Sequence, residues 1–175
     1  MQTKIDLCGA ALLKIGERAI AGFNEDSAAA QIAGRLCDQV IDGMLSAHAW
    51  RFATRKYALD KTSDGDFLIP SDVLRILSCD RKKYDVRRNR IVADGDKLEI
   101  TCVVRTTPES FPPYFAAALT TKLAMEFCVP LTLDKNNFAF LNALYENELR
   151  FAKFLDSSFG ANQEIENFSL INTRF

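Results

Sequence analysis

The sequence predicts an α+β fold, mainly α: an antiparallel bundle of about four helices, an antiparallel β region inserted at about residues 52–105, and an extended C-terminal arm. Three observations lead there. Apolar residues recur at helical spacing on both sides of the middle third. That middle third alternates instead and is cut by Asp-Gly turn signals. Residues 161–175 carry several apolar side chains with no helical stripe.

Ile5, Cys8, Ala11, Leu12 and Ile15 share one helical face, and Gly16 then offers the left-handed conformation that ends helices, so the first helix covers about residues 3–15. Asn24, Asp26 and Ser27 offer N-caps to a second helix over about 26–47, with a stripe of Ala29, Ile32, Ala33, Leu36, Val40, Met44 and Ala47. Gly34 and Gly43 lie inside it, each costing about 1 kcal/mol relative to Ala. Close packing against another helix or subunit accounts for them, and so does simple tolerance.

From Trp50 the period changes. Phe52–Leu59, Phe67–Ile69, Val73–Cys79, Tyr84–Val92 and Leu98–Val104 read as strands, separated by Asp64-Gly65-Asp66, Pro70 and Asp94-Gly95-Asp96. The strongest hairpin signal is Arg90–Ala93, the Asp94-Gly95 turn, and Leu98–Val103. Ser110, with Pro112 and Pro113 in the first turn, opens a third helix over about 111–128, in which Phe115, Leu119, Leu123 and Phe127 lead to a break at Pro130.

Asp134 caps a fourth helix over about 134–157. Its stripe of Phe138, Leu141, Leu144, Tyr145, Leu149, Ala152 and Leu155 is joined by Phe140, Phe151 and Phe154 around the side. An apolar arc of that width makes a helix either central to its fold or shared with a neighbouring chain. Gly160 closes it, giving a single domain over residues 1–160 and an arm over 161–175 anchored by Ile165, Phe168, Leu170, Ile171 and Phe175. Such a segment orders on a partner or folds back onto its own domain; docking to a partner is the expectation.

A chain of 175 residues buries roughly 70% of its unfolded surface around one core without staples. With 22 basic against 23 acidic residues the net charge is −1, which argues against a protein that coats DNA over its whole surface. The unbroken apolar runs, such as Phe115–Leu119, fall short of the ~20 residues of a membrane span, so no membrane partner is expected. Asp6, Lys14 and Glu17 interrupt what a secretory signal would need, and synthesis is expected to end in the cytoplasm. Cys8, Cys37, Cys79, Cys102 and Cys128 are scattered, with no CxxC pair, and are expected to be reduced and to act as small apolar residues. No metal or cofactor is expected.

Catalytic patterns are thin. His48 is the one imidazole, no Gly-x-Ser-x-Gly or HExxH occurs, and Gly9, Gly16 and Gly22 fit neither the dinucleotide fingerprint nor the phosphate loop. No catalytic residue is assigned, although a pair of carboxylates can cleave glycosides without His. The densest charge feature, Arg81, Lys82, Lys83, Arg87, Arg88 and Arg90, is a solvated strand face on one copy. Repeated around a ring it becomes a positive collar for DNA phosphates or an acidic partner surface. His48, Trp50 and Phe52 form a structural corner where the chain turns into the sheet, with His48 expected to hydrogen-bond nearby.

Several of these pieces also form an ordered series. Ala11–Glu17, Asp26-Ser27, His48–Ala53, Leu68–Leu77, Phe111–Phe115 and Leu123–Glu126, in that order and spacing, resemble the tail tubular protein A family of tailed phages, which includes the tail accessory factors of short-tailed phages. The similarity covers roughly the whole chain. It departs at Ala49, where the family often has Pro, and at Ile41, near a common Arg.

The resemblance implies a head-to-tail connector (adaptor), a structural protein of the virion assembled in the bacterial cytoplasm. About twelve copies would form a homo-oligomeric ring beneath the portal protein, extend the DNA channel and give the tail tube or nozzle its attachment surface. The arm would grip the portal, and DNA would pass without sequence-specific contact. The alternatives are a virion-associated peptidoglycan hydrolase and a protein-interaction module outside any phage.

Overall fold

The computed structural model describes residues 2–158. Four α-helices accompany two three-stranded antiparallel sheets, an α+β architecture. Helix α1 (Lys4–Lys14) starts with a reciprocal cap. Thr3 Oγ1 accepts from the Asp6 amide, while the Asp6 carboxylate accepts from the Thr3 amide at 2.8 Å. It ends at Gly16, whose φ of 81° reverses the chain. Of the three caps offered to α2 (Ala28–Ser46), Ser27 is the one used, its Oγ accepting from the Ala30 amide at 3.2 Å. Gly34 faces Phe23 within van der Waals distance, whereas a side chain at Gly43 would meet open space.

Helix α3 (Pro113–Thr132) is the hub, packed against α1, α2 and α4. Phe115, Leu119, Leu123 and Phe127 are fully buried in it. It begins two residues later than expected: Ser110 closes a separate 3-10 turn (Pro108–Ser110), and Pro113 occupies the first helical position, where an amide hydrogen has no partner anyway.

Pro130 does not break α3. It forfeits the bond to the Glu126 carbonyl, but the helix runs on through Thr132, whose hydroxyl donates to Cys128 O at 2.8 Å. It stops at Leu133, left-handed at φ 55°. By length and composition alone the helix is apolar enough to cross a membrane, with mean hydropathy 1.2. Thr120 and Thr121 interrupt its apolar runs but satisfy their hydroxyls on the carbonyls of Ala116 and Ala117. Within the protein, 61% of that apolar stretch is buried.

Helix α4 (Lys135–Ser158) is capped as expected, Asp134 Oδ1 accepting from the amides of Asn136 and Asn137 at 2.9 and 3.0 Å. The arm residues Ile165, Phe168, Leu170, Ile171 and Phe175, and the closing Gly160, lie outside the described residues.

The first sheet has the order β1 (Thr54–Asp60), β6 (Lys97–Val104), β3 (Val73–Cys79). The second has the order β2 (Phe67–Leu68), β5 (Arg90–Ala93), β4 (Tyr84–Arg87). Strand β6 alternates strictly. Leu98, Ile100, Cys102 and Val104 join Phe67 and Ile91 of the second sheet in one apolar cluster, while Val103 points the other way into the helical core.

Three strand expectations are corrected. Phe52 belongs to a 3-10 turn (Arg51–Ala53), and the strand starts at Thr54. Tyr84–Val92 is not one strand but a hairpin: Arg87 pairs with Arg90, and Arg88 takes the left-handed φ of 54° that the tight turn demands. The Asp94-Gly95 hairpin does not form. β6 has β1 on one edge and β3 on the other, so β5 pairs instead with β2 and β4. Asp94-Gly95-Asp96 is therefore a corner between sheets, with Gly95 at φ 102° beneath the Arg81 guanidinium.

Candidate functional site

The basic stretch is on the exposed outer sheet, but half of it is committed. Arg81 donates to Lys97 O at 3.1 Å and lies 3.8 Å from Asp80. Arg87 pairs with Asp85 at 2.7 Å, and Arg90 reaches both Asp64 and Asp66 at 3.0 and 2.7 Å. Lys82, Lys83 and Arg88 make no ion pair among the described residues and are exposed. The available positive charge is thus three cations flanking β4, Lys82 and Lys83 before its start and Arg88 after its end, fewer than the six that the sequence offers.

The corner takes shape around Trp50. Its ring is fully buried, its Nε1–H donates to Met44 O at 2.9 Å, and it meets Phe115 edge-on at 5.0 Å. Phe52, Phe111 and Phe115 complete the cluster, with Phe52–Phe115 and Phe111–Phe115 centroids each 4.9 Å apart. His48 stands edge-on to Trp50 at 4.8 Å. Among the described residues His48 does not make the hydrogen bond expected of it: Asp156 Oδ2 lies 3.9 Å from Nε2.

Asp156 escaped the sequence reading, and it organises the corner. Only 2% exposed, it accepts from the Arg51 amide at 3.1 Å and from the Tyr114 hydroxyl at 2.9 Å, which ties α4 to the corner and to α3. Burial and that hydrogen bond push the Tyr114 phenol up to about 12. Partial burial holds the His48 imidazole below its usual range, against the opposing pull of Asp156. The signal was present: Asp156 continues the buried stripe of Tyr145, Leu149 and Ala152 at helical spacing, and an acid on such a stripe needs donors.

Arg51, Phe52, Pro112, Pro113, Tyr114, Phe151, Leu155 and Asp156 line an apolar groove of about 690 Å3 over this corner. Beside it α4 leaves Phe140, Phe151 and Phe154 exposed at 67, 60 and 66%. At 100° per residue the three fall within about 60° of one another, on a side of the helix away from buried Leu141 and Ala152. Among the described residues no three His, Cys, Asp or Glu side chains converge as a metal site. Cys8 and Cys37 are both buried in the helical core, where the neighbouring Cys37 thiol and burial push the Cys8 thiol far up. What the surface offers is therefore an aromatic helix face, an apolar groove and a small cationic patch.

No protein-family model matches the chain, and no curated protein matches it.

Proposed function

We propose that the chain is the subunit of a phage or prophage head-to-tail connector: an antiparallel bundle of about four helices that assembles side by side into a ring under the portal, extends the DNA channel and presents the tail attachment surface. The observation that carries the reading is the aromatic face of α4. Three phenylalanines at 60–67% exposure form one stripe on a helix that is already anchored to its own core through Leu141, Ala152 and Asp156. Isolated exposed apolar residues are ordinary, but a stripe of large aromatics on an anchored helix marks a surface for another protein.

The order of helices, β insertion and helices agrees with the connector resemblance, and the exposed cations flanking β4 are compatible with it. Lateral contacts able to hold a ring bury on the order of 1,000 Å2 or more each, to which the α4 stripe contributes. Arm residues 161–175 complete the proposal as the portal grip.

Sedimentation velocity of the purified protein, alone and with the matching portal ring, is the test. Addition of about twelve copies to the portal is expected. A species that stays near the 19.6 kDa of one chain and never shifts with the portal overturns the reading. Zymography on purified peptidoglycan would then address the hydrolase alternative.

A further inference from the structure

We propose that the groove over the corner is the seat of the chain's own C-terminal segment in the free subunit, with residues 163–171 folding back across Phe52, Tyr114, Phe151 and Leu155. Three observations assign this occupant. The first is position: α4 is described to Ser158, and Phe151, Leu155 and Asp156 lie within its last two turns, about 10 Å from that residue. Six residues lie between Ser158 and Ile165, and extended chain spans up to about 3.3 Å per residue, so the groove is well within reach.

The second is chemistry. The groove is apolar, and the segment supplies Ile165, Phe168, Leu170 and Ile171. The third is charge. Among the described residues that line the groove, Arg51 is the one cation. The groove's own acid, Asp156, is buried and already engaged by the Arg51 amide and the Tyr114 hydroxyl. Glu164 and Glu166 bracket Ile165 and complement the Arg51 guanidinium.

Such a seat covers part of the apolar surface around Phe151 and makes docking elsewhere a competition, because one segment cannot fill the groove and grip a partner at once. The inference concerns the free chain and does not rest on the ring. Its failure is therefore distinct from failure of the connector reading.

Hydrogen–deuterium exchange of the full chain, at a concentration where sedimentation shows a monomer, tests it. Amides of residues 163–171 should exchange at least about tenfold more slowly than in a synthetic peptide of the same sequence. Phe151→Glu or Leu155→Glu should return them to the peptide rate with circular dichroism unchanged. Arg51→Glu alone should speed exchange, and combining it with Glu164→Arg and Glu166→Arg should restore the protection. This charge exchange keeps the test decisive if the groove variants fail to fold. Peptide-rate exchange in the unaltered monomer overturns the proposal. Protection that survives the groove and charge variants also overturns it, by placing the seat elsewhere. Protection seen at high concentration and lost on dilution to the monomer assigns the groove to a second copy instead.

Discussion

At the scale of single residues, Asp156 concentrates the most consequence. Its carboxylate satisfies the Arg51 amide and the Tyr114 hydroxyl from a 2% exposed position, so Asp156→Ala leaves donors without an acceptor and should cost about 2 kcal/mol in urea denaturation. Asp156→Asn keeps an acceptor oxygen and should lose less. His48 gives a second prediction. Burial holds its folded-state value below the 6.5 of the free side chain, so below about pH 6.5 the unfolded chain binds more protons than the folded one. Stability therefore falls as pH drops through that region, and His48→Asn should flatten the decline between pH 6.5 and 5. A slope unchanged by the substitution would remove His48 as its source. Thiol labelling completes this scale: Cys79, partly exposed, should react with iodoacetamide well before buried Cys8, Cys37, Cys102 and Cys128.

At the scale of elements, caps and prolines decide where helices begin and end. Ser27→Ala removes the oxygen that holds the Ala30 amide and should destabilise α2 by about 1 kcal/mol. Pro130→Ala restores a backbone bond to the Glu126 carbonyl at an exposed position, so a rise in thermal midpoint is expected; a fall would show that the proline shapes the turn at Leu133. The helices were legible because each announces itself locally, through Thr3 with Asp6, Ser27, Pro113 and Asp134 at their starts and an apolar stripe between. The strands were legible as segments but not as partners. Asp94-Gly95 signals a turn, and the chain does turn a corner there, yet no local signal records that both edges of β6 are taken by strands remote in sequence. The candidate site divides the same way. Phe140, Phe151 and Phe154 showed in the sequence as an arc too wide for one core. The groove did not, because it joins Arg51 and Tyr114 to α4 across distances that only packing defines.

At the scale of the whole molecule, the α4 stripe and the cations flanking β4 make separate predictions about assembly. Phe140→Ser with Phe154→Ser removes two exposed rings that the core does not need. It should leave the fold and thermal midpoint nearly unchanged while weakening self-association in the portal complex; intact assembly in that variant would place the lateral contact elsewhere. Lys82→Ser, Lys83→Ser and Arg88→Ser remove the unpaired cations, so retention of packaged DNA should weaken and depend less steeply on salt. Fully stable heads would reduce the patch to a solvated surface. Strand β6 bears on how such a subunit withstands heat. One of its faces supplies the cluster shared with the outer sheet and the other supplies Val103 to the helices, so neither layer can come apart without stripping a wall from its neighbour. Helical and sheet signals should therefore vanish together in a single calorimetric transition, and an assembly built from such units would lose whole subunits on heating before it shed half-melted ones.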